Sequence, residues 1–201
     1  MMNPPSHQTP EEELIALALD GDEAAFTSLV RQYQGTVFNF AMKVCRDRQN
    51  AGETLQDTFI NVYQKLSQFD GRSKFSTWLY SIVTNNCLMK NRRRKVDDLM
   101  EAYDELPSPN GNSEKHGIAV NWHSTPAQDL IRDELKEQLD QAILKLPMEY
   151  RVVFVLRDIE EKSTDEVASI LNISVEATKS RLRRARAFLR QQLLPYVSDE
   201  R

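Results

Sequence analysis

The twelve residues KSRLRRARAFLR, 179 to 190, carry six arginines and lysines and no acid. A second stretch, 72 to 95, carries seven cations (Arg72, Lys74, Lys90, Arg92, Arg93, Arg94, Lys95), again without an acid. The chemistry open to such side chains is recognition of a polyanion. A guanidinium fork holds phosphate bidentately or takes the two acceptors on a guanine edge. Together the two stretches hold 13 of the chain's 26 Lys and Arg, so the remaining 165 residues set 13 cations against 30 acids. A formal net charge of -4 conceals this segregation. It suits a protein that meets nucleic acid at two places without adhering to it everywhere. A basic helix face is also compatible with plain solvation, but six cations with no interleaved acid repel one another until a partner neutralises them.

Other chemistries find little footing. His7, His116 and His123 fall in a polar tail and a polar linker, where nothing would hold them for catalysis or for a metal. There is no Gly-rich phosphate loop, no nucleophile elbow, and no pair of Cys or His at ligand spacing. The chain is therefore expected not to be an enzyme, and no cofactor or metal is expected. Cys45 and Cys87 are too far apart in sequence for a metal knuckle and too few for a disulfide framework, so each is expected to act as a small buried hydrophobe in a reducing compartment. No apolar run is long enough for a membrane-spanning helix. MMNPPSHQTPEEEL lacks the basic-then-apolar order of a secretory signal, so a cytoplasmic location is expected.

The elements that must carry these cations read as helices. EEELIALALDGDEAAFTSLVRQYQGTVFNFAMKVCRD divides into a short and a long helix at Asp20-Gly21-Asp22. In 50 to 67, Leu55, Phe59, Val62, Tyr63 and Leu66 recur at spacings of three and four, which predicts one buried helix face. The turn FDGRSK then leads into FSTWLYSIVTNNCLMKNRRRK, a helix entered through hydroxyl residues that can cap it. Between Val96 and Pro126 the pattern gives way to acids, Ser, Asn, Pro and Gly, the composition of a linker. Helical signal returns at AQDLIRDELKEQLDQAILKL. No period-two alternation predicts sheet. The expected fold is all-α: a tail and short helix over 1–21, a helical domain over 22–95, a flexible acidic linker over 96–126, and a second helical domain over 127–195.

Within the second domain, residues 163 to 194 carry a helix-turn-helix signal. Ser163 to Glu166 match a capping box, and Val167, Ile170 and Leu171 supply a short apolar face. Asn172-Ile173-Ser174 makes the turn, Ser174 can cap the next helix, and Pro195 stands near its end. At 100 degrees per residue, Thr178, Leu182, Ala185 and Leu189 form one inward stripe. Ser180 and Arg184 then point almost opposite, flanked by Lys179 and Arg183, as a helix lying in a major groove requires.

LKLPMEYRVVFVLRDIEEKSTDEVASILNISVEATKSRLRRARAFL resembles the promoter-binding carboxy-terminal domain of bacterial sigma factors, and in particular the small two-domain extracytoplasmic-function group. The resemblance implies that this domain reads the −35 promoter element through Lys179, Ser180, Arg181, Arg183 and Arg184. The helical wheel sets Arg181 to one side, as a phosphate contact. Glu176 and Ala177 depart from the Gly and Thr usual in the family, and Glu176 sits near where phosphates would lie.

FDGRSKFSTWLYSI interleaves aromatics with cations, which fits unstacked bases or simply a core. Through Phe69, Gly71, Ser73, Phe75, Thr77, Trp78 and Leu79 it resembles the sigma-factor segment that opens the −10 element. The resemblance implies a flipped base of the non-template strand at the loop Asp70, Gly71, Arg72, Ser73 and Lys74. Phe75, Thr77 and Trp78 are implied, with the loop, as contacts to the −10 DNA, and Asn85, Arg92, Arg93 and Arg94 would continue along the duplex. Without an ATP-binding motif, strand opening has to draw on binding energy. Gln56-Asp57-Thr58-Phe59 is similar to the sigma segment that docks on the largest subunit of core RNA polymerase; Gln56 and Asp57 would make polar contacts while Phe59 packs inward. Gly52 replaces an acid common there. An anti-sigma factor is a further partner implied by the family. A conventional regulator, binding operators without polymerase, explains 163 to 194 equally well but leaves the basic aromatic stretch without a task.

Overall fold

The computed structural model describes residues 10–45, 47–97 and 126–197, with the side chains of 94–97, 126–135 and 197 outside that description. Residues 98–125 of the expected linker, the three histidines and the tail before Pro10 lie outside it as well. All secondary structure among the described residues is helical. The first unit holds α1 (Glu11–Leu19), α2 (Glu23–Cys45), α3 (Arg48–Lys65) and α4 (Phe75–Asp97), with a 3-10 turn, Leu66–Gln68, ahead of the loop that enters α4. The second holds α5 (Pro126–Lys145), α6 (Met148–Phe154), α7 (Thr164–Leu171) and α8 (Val175–Val197), with α6 continuing into a π turn, Val155–Ile159.

Local chemistry sets the breaks. Gly21 adopts φ +93, a conformation costly for any side chain bearing Cβ. Asp22 then caps α2, its carboxylate accepting from the N–H groups of Ala24 and Ala25 at 2.8 and 3.0 Å. Asp47 caps α3 by accepting from Asn50 N–H at 2.7 Å. Pro195 lies inside α8, in its last turn.

α3 turns a different face inward from the one its large apolar residues predict. Ala51, Thr54, Thr58 and Val62 are buried, Leu55 and Phe59 are only half-buried, and Tyr63 is 64% exposed. Threonine reads as polar in sequence, yet the Thr58 hydroxyl donates to the Thr54 carbonyl at 2.6 Å, so its polar atom is satisfied and its methyl packs. Asn61 donates to Asn86 at 2.9 Å and Asn86 to Thr58 at 3.1 Å, tying α3 to α4.

The hydrophobic core runs from one unit into the other, from Phe40, Val44 and Val83 to Leu146, Val153 and Leu156. Across the seam α7 packs on α4. Arg151 of α6, 1% exposed, is the seam's most buried charge. Its guanidinium donates to the carbonyls of Ile143 (3.1 Å), Leu144 (2.7 Å) and Leu146 (2.6 Å) at the end of α5, and to Val44 (2.7 Å) at the end of α2. Carbonyls at a helix C-terminus lack intrahelical donors and carry partial negative charge. One cation therefore closes two helix ends that belong to different units. Glu160 adds a second tie, accepting from the Tyr80 hydroxyl at 2.5 Å and pairing with Lys43 at 3.3 Å. Lys162 lies over the Tyr80 ring, 4.8 Å from its centroid.

Candidate nucleic-acid interface

The loop before α4 is organised before any ligand arrives. Asp70 accepts from the Arg72 backbone N–H at 3.1 Å and from Arg72 Nε at 2.5 Å, while Gly71 takes φ +70. The Arg72 backbone N–H, and then its side chain and charge, hold the exposed Asp70 carboxyl below the usual carboxylate range. Asp70, Gly71, Arg72, Ser73 and Lys74 are all exposed.

Beneath this loop lies a triangle of rings. Phe69, Phe75 and Trp78 stand with centroids 5.4 to 5.6 Å apart, and Tyr33 joins Phe75 at 5.4 Å. Phe75 is only 2% exposed, so its ring supports the loop from the core and does not present a stacking surface. Thr77, 7% exposed, faces the second unit, where its hydroxyl lies 3.4 Å from the Glu166 carboxylate. Expecting these two at the DNA surface misses helix geometry: both lie on the α4 face that packs inward. Trp78 is half-buried at the triangle's edge. Farther along α4, Asn85, Arg92 and Arg93 are exposed together with Met89. From Lys74 to Arg93 this stripe extends about 28 Å at the α-helical rise. Arg94 lies in α4, but its side chain falls outside the described residues.

Lys90 does not share in that stripe. It pairs with Asp57 at 3.0 Å and Glu53 at 3.2 Å on α3. Burial alone would lower its pKa, but the two carboxylates outweigh burial and raise it. Of the α3 residues expected to meet polymerase, Gln56 and Asp57 are exposed and Phe59 packs partly inward. The same face also carries Ile60, 56% exposed, one helical turn beyond them. A large apolar residue on an otherwise polar helix face is a signal the sequence carries.

The helix-turn-helix forms from the residues expected. Glu166 N–H donates to Ser163 Oγ at 3.2 Å, and Ser163 N–H donates to the Glu166 carboxylate at 2.8 Å, the reciprocal pair of a capping box. The Ser163 backbone N–H, followed by its side chain, lowers the Glu166 pKa. Asn172 closes α7 in the left-handed region at φ 51, and Ser174 Oγ accepts from Ala177 N–H at 3.0 Å to open α8. Thr178, Leu182, Ala185 and Leu189 are all buried.

Lys179 and Arg183 are exposed on α8, with Ser180 partly exposed beside them. Arg181 pairs with Glu149 at 3.5 Å. Arg184 differs from its helical-wheel position, being half-buried with Nη1 donating to the Tyr150 hydroxyl at 3.3 Å. The reason is that α6 packs closely along α8, so a side chain that is outward on an isolated helix meets a neighbour here. Arg186, outside the expected set, is clamped by Asp158 through two bonds of 2.8 and 2.6 Å.

Comparison with known proteins agrees with this geometry. Residues 29–96 match the family model Sigma-70 region 2, and residues 136–189 match Sigma-70, region 4. The ECF RNA polymerase sigma factor SigW of Bacillus subtilis is 35% identical over 173 residues, covering 86% of this chain and 91% of that protein. The RNA polymerase sigma-H factor of Pseudomonas aeruginosa is 30% identical over 195 residues, covering 96% and 98%. Among solved structures, CnrH in complex with the cytosolic domain of CnrY superposes with a TM-score of 0.62 at 25% identity, covering 92% of this chain and 97% of that one. The sigma factor RpoE of Bartonella quintana, solved with the anti-sigma factor NepR, gives 0.60 at 20% identity over 84% and 96%. Two helical units, each matching its own sigma region in the right order, identify the chain as a member of the sigma-70 family, and within it as an extracytoplasmic-function RNA polymerase sigma factor.

Proposed function

We propose that the chain carries core RNA polymerase to promoters by reading two DNA elements with its two units. The observation that carries this reading is the pairing, in one chain, of a preorganised exposed loop at 70–74 with a helix-turn-helix whose outer face bears Lys179, Ser180 and Arg183. The loop receives a base extruded from the melted −10 non-template strand. Arg72 and Lys74 follow its backbone, and the Phe69–Phe75–Trp78 triangle keeps the receiving surface rigid. Asn85, Arg92, Arg93 and Arg94 continue along the duplex phosphates.

On α8, Lys179 and Arg183 reach the −35 major groove, and Arg181 and Arg184, braced by Glu149 and Tyr150, approach the flanking phosphates. Gln56 and Asp57 dock on polymerase with Ile60 as their apolar neighbour, while Phe59 packs beneath them. The chain performs no catalysis of its own and works in the cytoplasm, where an anti-sigma factor is its expected inhibitory partner.

Opening DNA without nucleotide hydrolysis has to be driven by binding energy. Unstacking a base costs a few kcal/mol, which capture in a prepared pocket offsets. This predicts a division of labour: the chain alone holds promoter DNA weakly, and the polymerase complex melts it. The test is permanganate footprinting of unpaired thymines on a promoter fragment. Reactive thymines around −10 are expected with polymerase and chain together, and none with either alone. A conventional regulator would instead bind its operator tightly alone and leave the thymines paired.

A further inference from the structure

Cys45 ends α2, and Cys87 lies in the middle of α4. The sequence suggests two unrelated core thiols, but folding brings them face to face, with their sulfurs 2.7 Å apart. Cys87 is 1% exposed, whereas Cys45 is only partly buried. Thr54 Oγ1 lies 3.6 Å from the Cys45 sulfur. We propose that Cys45 and Cys87 form an intramolecular redox site, in which a hydroperoxide oxidises Cys45 and Cys87 resolves the product into a disulfide within the sigma region 2 unit.

The surroundings give the two thiols different roles. The hydrogen bond from Cys87 favours the Cys45 thiolate more than burial opposes it; Thr54 adds to this, as do the charges of Lys90 and Arg151. Cys87 is pushed the other way by its bond to Cys45 and by burial. The thiolate is the reactive form toward oxidants, so the accessible Cys45 is the attacking group and Cys87 the resolving one.

The chemistry balances with the peroxide as sole oxidant. The Cys45 thiolate attacks one peroxide oxygen, the O–O bond breaks, and the departing alkoxide or hydroxide takes a proton, leaving a sulfenic acid. The Cys87 sulfur then attacks the sulfenic sulfur and the S–O bond breaks. The Cys87 proton leaves with the hydroxide as water. Two thiols are oxidised by two electrons and one peroxide is reduced. Little chain movement is needed, because the sulfurs already touch.

The position gives such a bond mechanical reach. Val44, adjacent to Cys45, supplies the carbonyl that accepts from buried Arg151 across the seam. A covalent tie at Cys45 therefore fixes the helix end on which the second unit rests.

The test treats the reduced full-length chain with a few equivalents of hydrogen peroxide, then denatures it and alkylates the remaining thiols. The expected result is loss of both alkylation sites and a mass lower by about 2 Da, with one proteolytic fragment joining Cys45 to Cys87 and a dithiol restoring both. In Cys87→Ser, peroxide should leave a sulfenic acid on Cys45 that dimedone traps. In Cys45→Ser, Cys87 should remain a thiol. Both variants keep a side chain of similar size, and circular dichroism verifies that they fold. Full alkylation of both cysteines after peroxide would overturn the proposal. So would disulfides found only between chains, or trapping on Cys87 in place of Cys45.

Discussion

Replacing Arg151 tests how the two units are held, because its side chain closes helix ends in both. Four hydrogen bonds of 2.6 to 3.1 Å run from the guanidinium to backbone carbonyls. At about 1.5 kcal/mol for each charge-assisted bond they total roughly 6 kcal/mol. Burying the cation costs several kcal/mol in the other direction, and a methionine avoids that cost while filling much of the space. The net loss expected for Arg151→Met is thus about 3 kcal/mol. Arg151→Lys is the sharper variant. An ammonium group keeps the burial cost, yet it cannot reach carbonyls spread over two helix ends as a planar fork does. Lysine should therefore be no better than methionine. Urea unfolding followed by circular dichroism reads this directly, with a midpoint lowered by about 1 M for a chain of this size. If Arg151→Lys unfolds at the wild-type midpoint, the positive charge alone does the work. The argument from carbonyl geometry would then be wrong.

Three other outcomes are expected. Arg183→Ala should weaken binding to a −35 duplex in the polymerase complex by about 1–3 kcal/mol and relax specificity at the base pair it meets, whereas the ion-paired Arg186→Ala should leave that specificity unchanged and lower stability by at most about 1 kcal/mol. Asp57→Asn should weaken core polymerase binding by about 1–2 kcal/mol, measured by competition against the wild-type chain, without altering −35 recognition. Burial, followed by the Glu160 bond, raises the Tyr80 pKa. A raised folded-state value means that this contribution is complete below the ordinary tyrosine pKa of about 10 and declines as pH rises above it, so urea midpoints should fall between pH 8 and pH 11 by less in Tyr80→Phe than in wild type.

Much of the site was legible because its signals are local. Ser163, Glu166 and Ser174 announce helix starts through side-chain and backbone chemistry a few residues apart, and Thr178, Leu182, Ala185 and Leu189 share a stripe that only helix geometry requires. What escaped sequence reading depends on neighbours far along the chain. Nothing near Arg151 in the sequence signals burial, because the four carbonyls around it come from the ends of two other helices. Thr58 reads as polar until its hydroxyl is satisfied within the helix, and Thr54 until its hydroxyl meets the Cys45 sulfur of α2. Arg184 reads as outward on an isolated helix, but Tyr150 of α6 stands beside it. Phe75 belongs to the aromatic motif, yet its ring faces the core. The approach of Cys45 to Cys87 has no sequence signature, since 42 positions separate them.

The most direct test of the central claim is run-off transcription with purified core polymerase, with and without the chain, on promoter fragments from its own genome. The account predicts specific transcripts only when the chain is present, and their loss when Lys179 and Arg183 are both replaced by alanine. Transcripts that are absent throughout, alongside tight operator binding by the chain alone, would contradict it.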